Sequence, residues 1–146
     1  MSRISYASPP VSDSIRSVKS LEGKTALVTG AGRGIGEAIA RAYAKAGATV
    51  FCTARSEEEI ALTVRSIEVA GGRAFAFTAD VSNCEEVERL YAACAAHTDT
   101  IDIVVANAGI FSAEATVETL EVAAWKRILE INLDGAFYTA KLAIPF

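Results

Sequence analysis

Over residues 24–30 the chain reads KTALVTG, an apolar run without polar alternation that closes on glycine. Such a run predicts a strand buried on both faces. The period then changes. Ile35, Ala38, Ile39, Ala42, Tyr43 and Ala46 recur at helical spacing, which predicts an amphipathic helix with that face inward and Gly47 as its C-cap. The alternation repeats down the chain. TVFCT (49–53) predicts a second strand. SEEEIALTVRSIEVAGG (56–72) predicts a helix opened by a Ser56–Glu59 capping box and stopped by Gly71-Gly72. AFAFTA (74–79) predicts a third strand. A Ser82–Glu85 capping box opens a third helix, with Val87, Leu90, Tyr91, Cys94 and Ala95 on one face. DIVVAN (102–107) predicts a fourth strand. A last helix starts near Leu120 and carries Leu133, Phe137, Ala140 and Ile144 on one stripe.

The order is β-α-β-α-β-α-β-α. Apolar strands separated by amphipathic helices mean a parallel sheet covered on both faces. The expected fold class is α/β, a doubly wound parallel sheet. Residues 21–146 read as one partial Rossmann domain, and residues 1–20 as a flexible polar tail.

Composition narrows the function. The chain has 146 residues, half of them apolar, which suits one globular core. Net charge is −4 with Lys and Arg dispersed, so neither nucleic acid nor an anionic membrane surface is an expected partner. No apolar run reaches the length of a membrane span. Cys52, Cys84 and Cys94 make an odd count with no Cys-x-x-Cys spacing, and His97 is the one histidine. A disulfide framework and a metal site are therefore not expected, and a reducing, cytoplasmic location is. The N-terminus lacks the apolar core of a secretory signal. Arg3, Arg16, Lys19 and a single acid, Asp13, make a mitochondrial presequence the lesser alternative, but Pro9-Pro10 would interrupt its helix.

The first strand–helix junction carries the chemistry. Gly30, Gly32, Gly34 and Gly36 lie in TALVTGAGRGIGEAIA. A dinucleotide pyrophosphate needs a tight turn, close backbone approach and a helix N-terminus aimed at it, and glycines here permit all three. G-x-G-x-x-G fails at Ile35. T-G-x-x-x-G-x-G fits from Thr29 through Gly30, Gly34 and Gly36, and no Gly-Lys-Ser/Thr follows to make a P-loop.

That turn resembles the cofactor motif of the short-chain dehydrogenase/reductase family. Three further stretches agree in order and spacing. Ala79-Asp80-Val81 resembles the family's Asp-Val after the third strand, where the Asp contacts adenine. Ala106-Asn107-Ala108-Gly109 resembles its N-N-A-G, with Ala106 replacing the first asparagine. INLDGAF (131–137) resembles its N-x-x-G-x-F, with Asn132 matching the catalytic asparagine. The resemblance covers 24–146 and implies a partial, Rossmann-like sheet of four strands in spatial order 3-2-1-4. It implies cofactor contacts from Gly30, Arg33, Gly34, Ile35, Gly36, Arg55, Asp80, Val81, Asn107, Ala108 and Gly109. It also implies hydride transfer between a nicotinamide and a small-molecule alcohol or carbonyl, and a homo-oligomeric full-length form.

An acid at the end of the second strand holds the adenosine ribose in NAD-binding sites, whereas arginine suits a 2′-phosphate. The aligned position is Ala54, followed by Arg55, with Arg33 inside the glycine turn. With no carboxylate expected there and two guanidiniums, NADP is the expected cofactor and NAD the less favoured one.

Tyr138 and Lys141 are three apart, whereas the family motif is Tyr-x-x-x-Lys and follows a fifth strand bearing a serine. Tyr138 is expected to pack and Lys141 to be a surface charge. Of the family's four catalytic positions only Asn132 is matched. The chain therefore reads as the N-terminal, cofactor-binding part of an oxidoreductase, truncated before the Ser and Tyr-x-x-x-Lys and inactive alone. The fourth strand would be left as an open sheet edge. The alternative is a non-catalytic NAD(P)-binding protein. His97 reads as a helix-end or surface residue, Cys52 and Cys94 as core, Cys84 as an ordinary residue near a cap, and Trp125 as helix packing.

Overall fold

The structure is a computed structural model that describes residues 19–111 and 115–146. All but two residues of the tail expected over 1–20 fall outside the described residues.

Four strands form one parallel sheet: β1 (Thr25–Thr29), β2 (Thr49–Ala54), β3 (Arg73–Thr78) and β4 (Ile103–Val105). Their order is β3-β2-β1-β4, as the family resemblance implies. Thr25 lies opposite Thr49, Thr49 opposite Arg73, and Ala26 opposite Ile103. At its start β4 is tied to β1. Lys24 Nζ donates to Asp102 Oδ1 at 2.7 Å and the Thr25 amide to Asp102 Oδ2 at 2.8 Å.

Alternate residues of a strand face opposite sides of the sheet, so two cores form. Val28, Val50 and Cys52 pack under α1 (Gly34–Lys45) and α2 (Glu57–Val69), against Ala40, Ala44 and Ile67. Leu27 and Phe51 pack on the other side under α3 (Cys84–Ala95), against Val87, Leu90 and Cys94. Tyr138 and Leu142 reach the same core from the last helix. Burial raises the thiol pKa of both Cys52 and Cys94 to about 12.

Three helix details differ from the sequence expectation. In α1 the fully buried positions are Gly36, Ala40 and Ala44; Ile39 and Tyr43 only flank them, and Ile35 is exposed. Small side chains let α1 approach the sheet closely, which rotates the inner face by about one residue from the apolar count. In α3 the N-cap is Asn83, whose Oδ1 accepts from the amides of Glu85 at 3.0 Å and Glu86 at 3.3 Å. Ser82 is drawn instead to Asp80, its hydroxyl donating to Oδ1 at 2.7 Å. Ser56 does cap α2, accepting from the Glu59 amide at 3.3 Å.

The third difference is in the last helix. It comprises α4 (Val122–Leu129), a π-helical turn (Glu130–Asp134) and α5 (Gly135–Ala143). A π turn takes in an extra residue and shifts the phase of the helix beyond it. The expected stripe faces outward, with Leu133 61% and Ile144 82% exposed. Ile131, Gly135 and Thr139 are buried in its place. Thr139 is tolerated inside because its hydroxyl donates to the Gly135 carbonyl at 2.7 Å. The Tyr91 hydroxyl donates to the Thr139 carbonyl at 2.6 Å, joining α3 to α5, and burial raises the Tyr91 pKa. Trp125, expected to pack, is half exposed.

Candidate functional site

β1 is the strand from which the sheet runs both ways, to β2 on one side and β4 on the other. In doubly wound sheets the crevice beyond the strand ends at such a switch point is where ligands bind. A cleft of about 570 Å³ opens there. Its walls come from the turn after β1, the β2–α2 junction, the loop after β3 and the loop after β4, together with Ile131 of the π turn.

The turn after β1 is shaped by two glycines. Gly30 has φ +65°, and a Cβ there would stand 2.9 Å from Asn107 Nδ2. A Cβ on Gly36 would overlap the Gly30 carbonyl oxygen. The helix thus begins directly on the turn, and Arg33 at its N-cap makes no side-chain cap. The first-turn N–H groups of α1 are left without a capping side chain, the condition under which a helix N-terminus receives an anion. The cradle fits a pyrophosphate.

Thr29 and Asn107 lock this turn to β4. The buried Thr29 hydroxyl accepts from the amides of Asn107 and Ala108, both at 3.0 Å. Asn107 Nδ2 donates back to the Thr29 carbonyl at 2.9 Å. These bonds hold the β1 and β4 ends together at the cleft floor, with Asn107, Ala108 and Gly109 in its wall.

Beyond β3, Asp80 and Val81 line the cleft. Asp80 Oδ1 accepts from the Ser82 amide at 3.0 Å as well as from its hydroxyl. Arg127 reaches in from α4, with Nη2 2.7 Å from Asp80 Oδ2 and Nη1 donating to Ser82 Oγ at 2.7 Å. The Asp80 amide donates to Glu86 Oε2 at 2.8 Å. Partial burial pushes the Asp80 pKa up, but the Ser82 hydroxyl and amide, with Arg127, outweigh it and hold the carboxyl below its ordinary value. Val81 is backed by α5, where a Cβ on Gly135 would stand 2.7 Å from Val81 Cγ2.

Arg33, Ala54, Arg55, Ser56 and Glu59 form the corner at the β2–α2 junction. Among the described residues Arg55 forms no ion pair, and Arg33 Nη1 lies 4.0 Å from Glu59 Oε1. Ala54, at the aligned acid position, supplies no carboxylate to this corner, but Glu59 does, from the first turn of α2.

The eleven residues expected to contact a cofactor all line this one cleft. Asn132 sits in the π turn beside it. Its Oδ1 accepts from the Ile110 amide and its Nδ2 donates to the Ile110 carbonyl, both at 2.8 Å, which fixes the loop after Gly109. Tyr138 packs on the α3-side core, and Lys141 Nζ lies 5.6 Å from the centre of the Phe137 ring; neither lines the cleft. His97, just past α3, lies against the Phe75 ring at 4.3 Å. Among the described residues no group of three or more His, Cys, Asp or Glu side chains could hold a metal ion. Likewise, no helix is long and apolar enough to cross a membrane.

Sequence reasoning missed two side chains. Arg127 gave no signal, because its partner Asp80 lies 47 residues away. Glu59 was legible only as half of a capping box. The role of Thr29 was present as the first letter of the glycine motif, but not its bonds to β4.

Fold and cleft together place the chain in the doubly wound α/β class, with a crevice at the switch point of the sheet. The sequence profile described as short chain dehydrogenase matches residues 24–146, and the chain belongs to that family of oxidoreductases. It is 42% identical over 118 residues to a 3beta-hydroxysteroid dehydrogenase of Mediterraneibacter gnavus, covering 81% of this chain and 43% of the relative. It is 36% identical over 127 residues to glucose 1-dehydrogenase 2 of Bacillus subtilis, covering 86% of this chain and 49% of the relative. A metagenomic short-chain oxidoreductase solved in complex with NADP superposes with a TM-score of 0.82 at 34% identity, over 86% of this chain and 57% of that one. A short-chain type dehydrogenase/reductase from Mycobacterium marinum gives 0.81 at 36%, over 86% and 51%. The chain thus spans about half the length of the curated relatives it matches.

Proposed function

We propose that this chain is the cofactor-binding part of an NADP-dependent oxidoreductase acting on an alcohol or carbonyl. The observation that carries the reading is the convergence of separate segments on one cleft, with Arg33 and Arg55 at the corner where β2 ends in Ala54. A nicotinamide, when bound, gives or takes the hydride.

The chain's own residues bind and orient. The N–H groups at the start of α1 and the glycine turn receive the pyrophosphate. Asp80 and Val81 bound the adenine, with Asp80 held still by Ser82 and Arg127. Arg33 and Arg55 clamp the 2′-phosphate by charge-assisted bonds. Asn107, Ala108 and Gly109 floor the nicotinamide side, and Asn132 positions the Ile110 backbone beside it. These 146 residues contain no Tyr-x-x-x-Lys on which proton transfer could be built, so carbonyl reduction is not expected from them alone.

Titration of the folded chain with NADPH and NADH, followed by nucleotide fluorescence, tests the cofactor. NADPH is expected to bind more tightly, and Arg55→Ala to weaken NADPH by about tenfold while sparing NADH. Equal affinities, unchanged in the variant, would remove the NADP reading.

A further inference from the structure

Gly32 lies in the glycine turn at a position where the T-G-x-x-x-G-x-G spacing asks for no glycine. Its surroundings supply a reason. A Cβ on Gly32 would stand 2.8 Å from Glu59 Cβ, 3.0 Å from Glu59 Oε2 and 3.6 Å from Ala54 Cβ. The Glu59 carboxylate is therefore seated against the turn, beside the β2 terminus where an acid ordinarily holds the adenosine ribose. A side chain at residue 32 would take its place.

The seating is built into the fold. The Glu59 amide is bound by Ser56 Oγ at 3.3 Å, fixing the first turn of α2. One helical turn further on, the buried Thr63 hydroxyl donates to the Ala31 carbonyl at 3.0 Å and ties α2 to the glycine turn itself. The carboxylate keeps 41% side-chain exposure, open to the cleft, with Arg33 as its nearest cation. Glu57 and Glu58, in the same helical turn, do not line the cleft.

We propose that Glu59 is a specificity-determining residue of the adenosine-ribose corner, supplying from α2 the carboxylate that the end of β2 lacks. This rests on the nucleotide reading above. Toward a nucleotide with a free 2′-hydroxyl, Glu59 accepts the ribose hydrogen bond. Toward a 2′-phosphate it acts in the opposite sense, since like charges repel and Arg33 must be released from Glu59 to engage the phosphate. Arg55 and Arg33 favour the 2′-phosphate, Glu59 opposes it, and their balance sets how strongly the site prefers one nucleotide.

The test compares NADPH and NADH affinities for the 146-residue chain, Glu59→Gln and Glu58→Gln, with circular dichroism confirming that each is folded. Glu59→Gln is expected to tighten NADPH and loosen NADH, raising the ratio of affinities by about tenfold. Glu58→Gln is expected to leave the ratio unchanged. A Glu59→Gln ratio equal to that of the parent overturns the proposal while leaving nucleotide binding intact. An equal shift in Glu58→Gln overturns it too, since the effect would then belong to the charge of the helix end. Binding of neither nucleotide by the parent chain overturns the nucleotide reading, and this proposal with it.

Discussion

Arg127 joins three parts of the chain through one guanidinium: α4, the carboxylate of Asp80 and the hydroxyl of Ser82. Because the folded state holds the Asp80 pKa below its unfolded value near 3.9, its contribution to stability is present above that value. It is lost as pH falls through the lowered one. Arg127→Gln is expected to cost about 1 kcal/mol at neutral pH, the scale of a partly exposed ion pair. The difference should shrink as pH falls through the lowered Asp80 value and vanish once the carboxyl is protonated in parent and variant alike. Urea unfolding followed from neutral to acid pH checks this; a pH-independent difference would assign Arg127 to packing alone. At this scale the sequence was legible where a motif names a residue of the cleft wall, as at Gly30, Asp80 and Asn107, which all line the one cleft. It was not legible where the partner is distant in sequence, as for Arg127, or where a second role hides behind a capping pattern, as for Glu59.

The elements were read by period, and their kind and order survive in the structure. The faces were read less well. α1 turns its small residues inward because Gly36 must meet the Gly30 carbonyl, and Ala40 and Ala44 continue that close contact. Counting apolar residues favours Ile35 and Ala38, since hydropathy weighs side-chain size and not the distance between helix and sheet. In the last helix the larger apolar residues form the outward stripe, and the face that meets α3 is set by Gly135 and Thr139, where the Tyr91 hydroxyl bonds. The α1 contact makes a prediction. Gly36→Ala should force turn and helix apart, lowering stability by about 1–3 kcal/mol as overpacking does. It should also weaken nucleotide binding more than Arg55→Ala does, because it displaces the pyrophosphate cradle for either nucleotide. Thermal unfolding with and without NADPH measures both. An unchanged melting temperature with retained ligand stabilisation would mean that the close approach is not required.

For the molecule as a whole, the two-sided apolar strands were enough to place a covered parallel sheet, while the strand order came with the family resemblance carried by four motifs. β1 sits inside the sheet because it pairs with β2 and β4 at once, and the Thr29–Asn107 bonds bring the β4 loop to the same cleft as the glycine turn. One nucleotide is expected to occupy that cleft from the β2–α2 corner to the loop after β4. Amide chemical shifts of the isotopically labelled chain, recorded as NADPH is added, test it most directly. Saturable shifts are expected together at Gly30–Gly36, Arg55, Asp80–Val81 and Asn107–Ile110, with the exposed face of α4 and α5 unaffected. Saturable shifts confined to other surfaces, or none at millimolar NADPH, would contradict the account.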